Sequence, residues 1–169
     1  CRKEYIPQLT FTGGEPTRRA DLVELVDYSK WFVTRLNTNG VLLTEELCKD
    51  LYEACLDSVQ VTFYSSNPEE HNKLVGADNF DKTVQGIKNA INAGLALSIN
   101  TPLCAVNKNY VETLKYLKEL GVKYVSCSGL IITGNATKEA SKETQLTEEE
   151  LYEVLKSACE YAKENLMEI

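Results

Sequence analysis

The sequence has few of the residues that build metal sites, and it lacks the short spacings that such sites use. It contains one histidine, His71, and six cysteines that are scattered along 169 residues. No CxxC or CxxxCxxC spacing occurs, so the sequence contains no recognisable metal-binding motif of this kind. The apolar fraction of 43% is enough for a sizeable core. We therefore interpret the cysteines as free buried thiols in a reducing compartment rather than as disulfides.

Three further absences exclude classes of function. No apolar run is long enough to span a membrane. No basic stripe accompanies the net charge of −7, which argues against a nucleic-acid surface. The chain starts at Cys1 without an initiator methionine or a signal peptide, which suggests a fragment of a longer protein.

One stretch carries the strongest functional signal: Leu9-Thr10-Phe11-Thr12-Gly13-Gly14-Glu15-Pro16-Thr17. The alternation of its first four residues predicts a strand. Gly13 and Gly14 end this strand and allow another molecule to approach the backbone closely. Pro16 disfavours helical backbone at Glu15, so we expect an extended glutamate at the strand mouth. The Glu15 carboxylate and the exposed backbone carbonyls of the glycines could bind an ammonium group. An ordinary turn with a solvated glutamate is the alternative interpretation of the same residues.

The rest of the chain alternates strand and helix patterns. Polar capping signals open several of the helices, among them Thr44, Ser66–Glu69 and Thr147–Glu150, and Gly94 is expected to end the helix at 80–93. Cys55 is expected to line the inner face of the helix at 44–55. The alternation predicts parallel strands with helices outside, in a barrel-like or a doubly wound sheet. Residues 133–145 are polar and predict a loop. Strands are expected at 9–12, 31–37, 58–63, 95–101 and 122–132, and helices at 20–30, 44–55, 66–74, 80–93, 110–120 and 147–166.

Polar residues follow the predicted strands where the strands end. In both architectures ligands bind beyond the carboxyl ends of the strands. The glycine turn is not GxGxxG, which weakens a dinucleotide-binding interpretation. The strand ends in question are Gly13-Gly14-Glu15, Asn37-Thr38, Thr62, Asn100-Thr101 and residues 130–132.

Phe11–Thr17 resembles the GGEP motif of radical S-adenosylmethionine (radical SAM) enzymes. Residues 36–40, 59–72, 95–107 and 130–132 resemble later stretches of the same family in the same order. The resemblance implies a partial (β/α)6, TIM-like barrel, with residues 1–169 as one core-domain fragment that supplies strands two to six and a C-terminal helix. It also implies that the first strand and the CxxxCxxC cluster loop lie upstream of Cys1. A missing first strand would expose a sheet edge, where dimerisation is plausible.

The resemblance implies a cofactor site for S-adenosylmethionine. In the family the glycines and the glutamate bind the methionine ammonium, a hydroxyl and a polar residue bind ribose or carboxylate, and apolar residues flank the adenine. The positions of this sequence that match are Gly13, Gly14, Glu15, Asn37, Thr38, Thr62, Asn100, Ile131 and Ile132. Two positions depart from the family, since Tyr64 replaces a common Asp and Val75 stands where many members have an Arg. Arg35 is a candidate for the missing charge.

The resemblance implies chemistry only for the full-length protein. There a 4Fe-4S cluster and S-adenosylmethionine generate a 5′-deoxyadenosyl radical that abstracts a substrate hydrogen. The implied partners are an electron donor such as flavodoxin or ferredoxin and an unknown substrate, such as a peptide, a protein or a cofactor. A C-terminal SPASM-type extension and a cytoplasmic location are also expected. The fragment alone is expected to bind no iron and to be inactive.

Two other functions fit the residues. The first is a metabolic (β/α) enzyme that binds a phosphate at Gly13-Gly14, although only Arg18 and Arg19 could supply the positive charge nearby. The second is a non-catalytic binding module.

Single residues also have simpler interpretations. His71 is predicted as a capping or surface residue, and Cys104 as a packed thiol. Thr62 and Asn100 could merely satisfy backbone groups at strand ends.

Overall fold

The computed structural model describes residues 5–129 and 145–169. Within these ranges the chain forms a five-stranded parallel sheet with the strands in sequence order. The strands are β1 (Gln8–Phe11), β2 (Val33–Thr38), β3 (Ser58–Thr62), β4 (Leu97–Leu103) and β5 (Tyr124–Gly129). The helices are α1 (Leu22–Tyr28), α2 (Glu45–Glu53), α3 (Pro68–Val75), α4 (Phe80–Asn92), α5 (Tyr110–Glu119) and α6 (Glu148–Glu164), with a 3-10 turn at Pro16–Arg18.

The predicted α/β class and the parallel strands are confirmed. The sequential strand order is what right-handed strand–helix–strand crossovers produce, and it matches part of a (β/α) barrel. The predicted strand end at residues 130–132 and the predicted loop up to residue 144 lie outside the described residues. None of the described helices combines the length and the hydropathy that crossing a membrane requires.

The chain divides into two compact units. The first comprises residues 1–62 and 79–98, and the second comprises residues 63–78 and 99–169. In the first unit one face of the sheet is mostly apolar and largely buried, with Leu36, Val59 and Val61 at 0% exposure beside the buried Thr34 and Thr38. The helices contribute further buried side chains to this core, including Leu22, Val26, Leu51 and Ile87.

The other face of the first unit's sheet is polar. The strand register places Thr10 beside Arg35 and Arg35 beside Ser58, with Asn37 beside Gln60 one step further along. Side chains alternate between faces along a strand, so these residues share one face. They are exposed or half-buried. We refer to Thr10, Arg35, Asn37, Ser58, Gln60 and Thr62 as the polar sheet face.

The second unit packs α5 and α6 together. Leu114, Leu117, Ala158 and Ala162 are at most 1% exposed and form its helical core. The predicted capping box of α6 is confirmed, because Thr147 Oγ1 accepts from Glu150 N at 3.1 Å and Glu150 Oε2 accepts from Thr147 N at 3.0 Å. This local motif fixes where α6 begins.

Three local predictions were wrong. Ser66 does not cap α3; Asn67 does, because Pro68 occupies the first helical turn and Asn67 Oδ1 accepts from Glu69 N at 2.9 Å. Cys55 does not line the inner face of α2, since it lies beyond the helix end at φ 62° and is exposed. β4 does not stop at Thr101 but continues through Pro102 to Leu103.

The five described cysteines are all free thiols, as predicted. Cys48 and Cys104 are buried, which confirms the packed-thiol interpretation of Cys104. Burial raises the pKa of Cys48 to about 11, so this thiol stays protonated at neutral pH. Cys55 and Cys159 are exposed, so the prediction of buried thiols was wrong for these two cysteines.

Candidate functional site

The carboxylate of Glu15 joins the first two strand ends of the sheet. Glu15 has extended backbone at φ −152°, as Pro16 predicted, and it caps the 3-10 turn. Its Oε1 accepts from Thr17 N at 3.1 Å, from the Thr17 hydroxyl and from the Thr38 hydroxyl at 2.6 Å. Its Oε2 accepts from Asn39 N at 2.9 Å. We call this arrangement of Glu15, Thr17, Thr38 and Asn39 the glutamate clasp.

The clasp keeps Glu15 ionised. Partial burial raises the pKa of the Glu15 carboxyl, but the hydrogen bonds from Asn39, Thr17 and Thr38 outweigh this effect and lower its pKa below the usual value. A carboxylate oxygen has about two acceptor positions. Oε1 is fully used within the chain, whereas Oε2 accepts one hydrogen bond from the described residues. Oε2 is therefore the oxygen that can accept a further donor, such as an ammonium group.

α4 packs against the loop that follows β2 and holds it in place. Gly40 has φ +78°, and the Thr83 hydroxyl donates to Asn39 O at 3.2 Å. A Cβ added to Gly86 would lie 2.0 Å from Gly40 O, so α4 and this loop are in direct backbone contact. Asn89 Nδ2 donates to Leu43 O at 2.7 Å just beyond the loop. The Asn39 amide thus reaches Glu15 from a loop with little freedom to move.

The two glycines before Glu15 border open space. Gly13 has φ +140°, which favours glycine, and a Cβ built on either Gly13 or Gly14 would meet no atom within 4 Å. Asn37 Oδ1 is buried without a hydrogen-bond partner among the described residues, which ordinarily costs about 1–3 kcal/mol. An accessible glycine backbone, an ionised carboxylate and an unsatisfied acceptor together fit the polar amino-acid end of a ligand such as S-adenosylmethionine.

The remaining predicted site residues have different surroundings. Thr62 ends β3 in the first unit and is half-buried, with no side-chain partner among the residues described. In the second unit, Asn100 Oδ1 accepts from the Ser126 hydroxyl at 3.1 Å, which orients the Asn100 amide. Ile131 and Ile132 lie outside the described residues. The structure therefore unites Gly13, Gly14, Glu15 and Thr38 in the first unit and describes Asn100 separately.

The segment after β3 is held by side chains of the second unit. Asn107 is 2% exposed; its Nδ2 donates to Tyr64 O at 2.7 Å and to Pro102 O at 3.0 Å. His71 is 1% exposed, and its Nδ1 accepts from Tyr64 N at 3.3 Å. The prediction of a surface or capping histidine was wrong, because α3 turns this side chain inward against Phe63 and Tyr64.

The described residues contain no cluster of three or more His, Cys, Asp or Glu side chains that could hold a metal ion. They therefore do not fit a 4Fe-4S cluster by themselves, and we derive no step through one. Sequence reasoning also missed the partners of Glu15, namely Thr17 and Asn39, and the supports Thr83 and Gly86. Only Gly86 left a signal in the sequence, since a glycine inside a helical pattern points to a close packing contact.

Residues 1–105 match the model of the Radical SAM superfamily. The match covers more than half of the 169 residues, and the chain belongs to this superfamily. The parallel (β/α) fold and the GGEP strand end agree with this membership.

The chain resembles individual superfamily members to different degrees. A probable GTP 3′,8-cyclase of Saccharolobus islandicus (strain Y.N.15.51 / Yellowstone #2) is 36% identical over 126 residues, which cover 71% of this chain and 40% of that protein. SuiB of Streptococcus suis bound to S-adenosylmethionine has a TM-score of 0.78 at 17% identity, over 93% of this chain and 37% of that chain. anSMEcpe with bound AdoMet and Kp18Cys peptide has a TM-score of 0.74 at 21% identity, over 94% of this chain and 47% of that chain. At these identities the two solved structures establish the fold, and this chain spans less than half the length of each of the three proteins.

Proposed function

We propose that this chain forms the S-adenosylmethionine-binding wall of a radical SAM enzyme. The observation that carries the proposal is the glutamate clasp, which holds an ionised carboxylate next to an open glycine backbone. In this proposal the carbonyls of Gly13 and Gly14 and the Oε2 atom of Glu15 receive the methionine ammonium. Superfamily membership supplies the independent support.

Gly13, Gly14 and Glu15 would hold S-adenosylmethionine, which with a 4Fe-4S cluster bound elsewhere in the full-length protein would supply radical chemistry. The contribution of this chain is to bind and orient. The clasp fixes the two strand-end loops, so the ammonium receptor does not have to be assembled when the ligand arrives. The Asn37 Oδ1 atom is buried without a partner among the described residues, so its side chain would have to turn outward before it accepted from a hydroxyl or amine of the ligand. The ribose contacts of Thr62 and Asn100 and the adenine contacts of Ile131 and Ile132 stay predictions, as does the origin of the cluster cysteines upstream of Cys1.

The charge of the site disfavours the phosphate alternative. Glu15 directly follows the two glycines and is ionised, so it would repel a phosphate there. Arg19, one of the two candidate cations, is engaged by Asp21 at 2.6 Å. No observation in the described residues favours the phosphate-binding enzyme or the non-catalytic module over the radical SAM proposal.

The test uses the full-length protein, reconstituted with iron and sulfide without oxygen and reduced with dithionite. We expect S-adenosylmethionine to be cleaved to 5′-deoxyadenosine and methionine, as measured by chromatography. A sequence upstream of Cys1 that lacks CxxxCxxC, or a reconstituted protein that gives no 5′-deoxyadenosine, would refute the proposal.

A second measurement locates the ligand. Gly14→Ala adds a Cβ that meets no protein atom within 4 Å, so the variant should unfold at the wild-type temperature. If the ligand approaches this backbone, its affinity should fall about tenfold in calorimetric titration. An unchanged affinity would mean that the cofactor does not lie against Gly14.

A further inference from the structure

The polar sheet face has the composition of a ligand-binding surface rather than that of a core. The inner faces of (β/α) barrels are normally filled by layers of bulky branched side chains. Here the register lines up Thr10, Arg35 and Ser58 across three strands, with Asn37 and Gln60 in the next row. All are hydrogen-bonding side chains, and none is fully buried. Such a surface is suited to water or to a polar ligand.

Arg35 is the one charged residue of this face, and no carboxylate partner for it occurs among the described residues. Its Nε lies 3.5 Å from Ser58 Oγ, a marginal contact that still leaves the two terminal nitrogens for a ligand. In the described part of the same unit Lys30 and Lys49 are paired with acidic side chains, whereas Arg18, Lys82 and Lys88 form no ion pair but lie on helical elements rather than on this face. Arg35 is thus a cation among neutral hydrogen-bonding groups.

The position of Arg35 relates it to the cofactor wall. Thr38, which donates to Glu15, follows three residues later on the same strand. A strand advances about 3.3 Å per residue, so the two Cα atoms are about 10 Å apart. Because three residues separate them, the two side chains point to opposite faces of the sheet, and a ligand group held by Arg35 would lie in the first unit about 10 Å along the strand from the clasp.

We propose that Arg35 binds a carboxylate of the substrate, and that the neutral side chains around it bind the polar groups next to that carboxylate. The proposal rests on the proposed function and adds the chemical class of the substrate. A guanidinium binds a carboxylate with two parallel hydrogen bonds, and one cation balances one negative charge. A nucleoside triphosphate carries several negative charges, for which this face has a single cation. An acidic side chain of a peptide fits the same face better.

The experiment uses the full-length reconstituted protein saturated with S-adenosylmethionine. Two libraries of N-acetylated, C-terminally amidated hexapeptides serve as probes: one contains Asp and Glu, and the other contains Asn and Gln at the same positions. Retained peptides are quantified by mass spectrometry after ultrafiltration, and GTP is a third probe. We expect the wild type to retain acidic peptides at least about tenfold better than their amide counterparts. Arg35→Gln should bring this ratio close to one, while Arg19→Gln, at an arginine already paired with Asp21, should keep the wild-type ratio.

Each other outcome has a defined meaning. An unchanged ratio in Arg35→Gln, or a wild type without acidic preference, overturns the proposal. Arg35-dependent binding of GTP without a preference between the libraries also overturns it, since the anion would then be a phosphate. A loss of S-adenosylmethionine affinity in Arg35→Gln with an intact peptide ratio assigns the cation to the cofactor instead. Formation of 5′-deoxyadenosine by the same wild-type preparation tests the proposed function separately, so the two failures can be told apart.

Discussion

Replacing Glu15 by glutamine tests whether the clasp holds the site together. The amide has nearly the shape of the carboxylate but no charge, and it offers one acceptor oxygen and one NH2 donor. If the oxygen stays with Thr17 and Thr38, the NH2 group faces the Asn39 N–H, and the bond of 2.9 Å to Oε2 is lost. The opposite orientation loses the bond from Thr17 N and requires the Thr17 and Thr38 hydroxyls to accept from the NH2 group instead of donating to Oε1. Glu15→Gln therefore loses at least one charge-assisted hydrogen bond in either orientation.

The size of the effect follows from these bonds. A hydrogen bond to a charged group contributes about 1.5–3 kcal/mol, and the bonds that remain are weaker without the charge. Because Glu15 is half-exposed, water replaces part of the loss, and we expect a net destabilisation of about 2 kcal/mol. For a domain of this size that lowers the melting temperature by about 4–8 °C. The assay is thermal unfolding followed by circular dichroism, with exposed Glu24 changed to glutamine as the matched control.

A double-mutant cycle with Thr38→Val sharpens this test. Thr38→Val removes the hydrogen bond of 2.6 Å that Glu15→Gln weakens, so the two effects on the free energy of unfolding should add to more than the effect of the double variant. We expect a coupling of at least about 1 kcal/mol. If Glu15→Gln unfolds like the Glu24 control and shows no coupling to Thr38→Val, the clasp contributes no stability and the reasoning is refuted.

Three further predictions follow from the same geometry. Gly86→Ala should lower the free energy of unfolding, measured in urea, by more than about 3 kcal/mol, because the added Cβ would lie 2.0 Å from a backbone oxygen. Alanine normally stabilises a helix relative to glycine, so a variant as stable as the wild type would contradict the close contact. The pKa of Glu15 is lowered from 4.5, so the difference in free energy of unfolding between wild type and Glu15→Gln should have its full size above about pH 5 and should shrink as the pH falls through the lowered pKa. A difference that is constant down to about pH 3 would argue against an ionised clasp. Iodoacetamide at pH 8 should label Cys55 well before Cys48, which is buried with a pKa of about 11, and mass spectrometry of tryptic peptides would reveal the reverse order if the burial is wrong.

The elements of the fold could be predicted because their signals are local. The Thr44 and Thr147 caps both form the predicted hydrogen bonds to the backbone three residues later. The glycine that ends α4, Gly94, has the expected positive φ of 79°. Each of these features depends on a few neighbouring residues, so a single sequence contains the needed information.

The site could be predicted only in outline. The polar strand ends predicted a ligand site at one edge of the sheet, but the sequence did not show that Glu15 uses most of its hydrogen-bonding capacity on Thr17, Thr38 and Asn39. Two of these partners are 23 and 24 residues away, and a contact of that range depends on the strand register and on a rotamer. The burial of His71 was missed for a related reason. A single polar residue in a short helix has no periodic signal that reveals which way it points.

The sequence separations within the site have a consequence for the order in which the chain assembles. Glu15 and Asn39 are 24 residues apart, whereas Ser66 N donates a hydrogen bond to the hydroxyl oxygen of Thr113, 47 residues further along. Closing the longer loop costs only about 0.6 kcal/mol more entropy, but during synthesis its second half does not yet exist when the first loop has emerged from the ribosome. We therefore expect the clasp to form while the second unit is still being translated. Ribosome-bound nascent chains of increasing length would show at which chain length it forms.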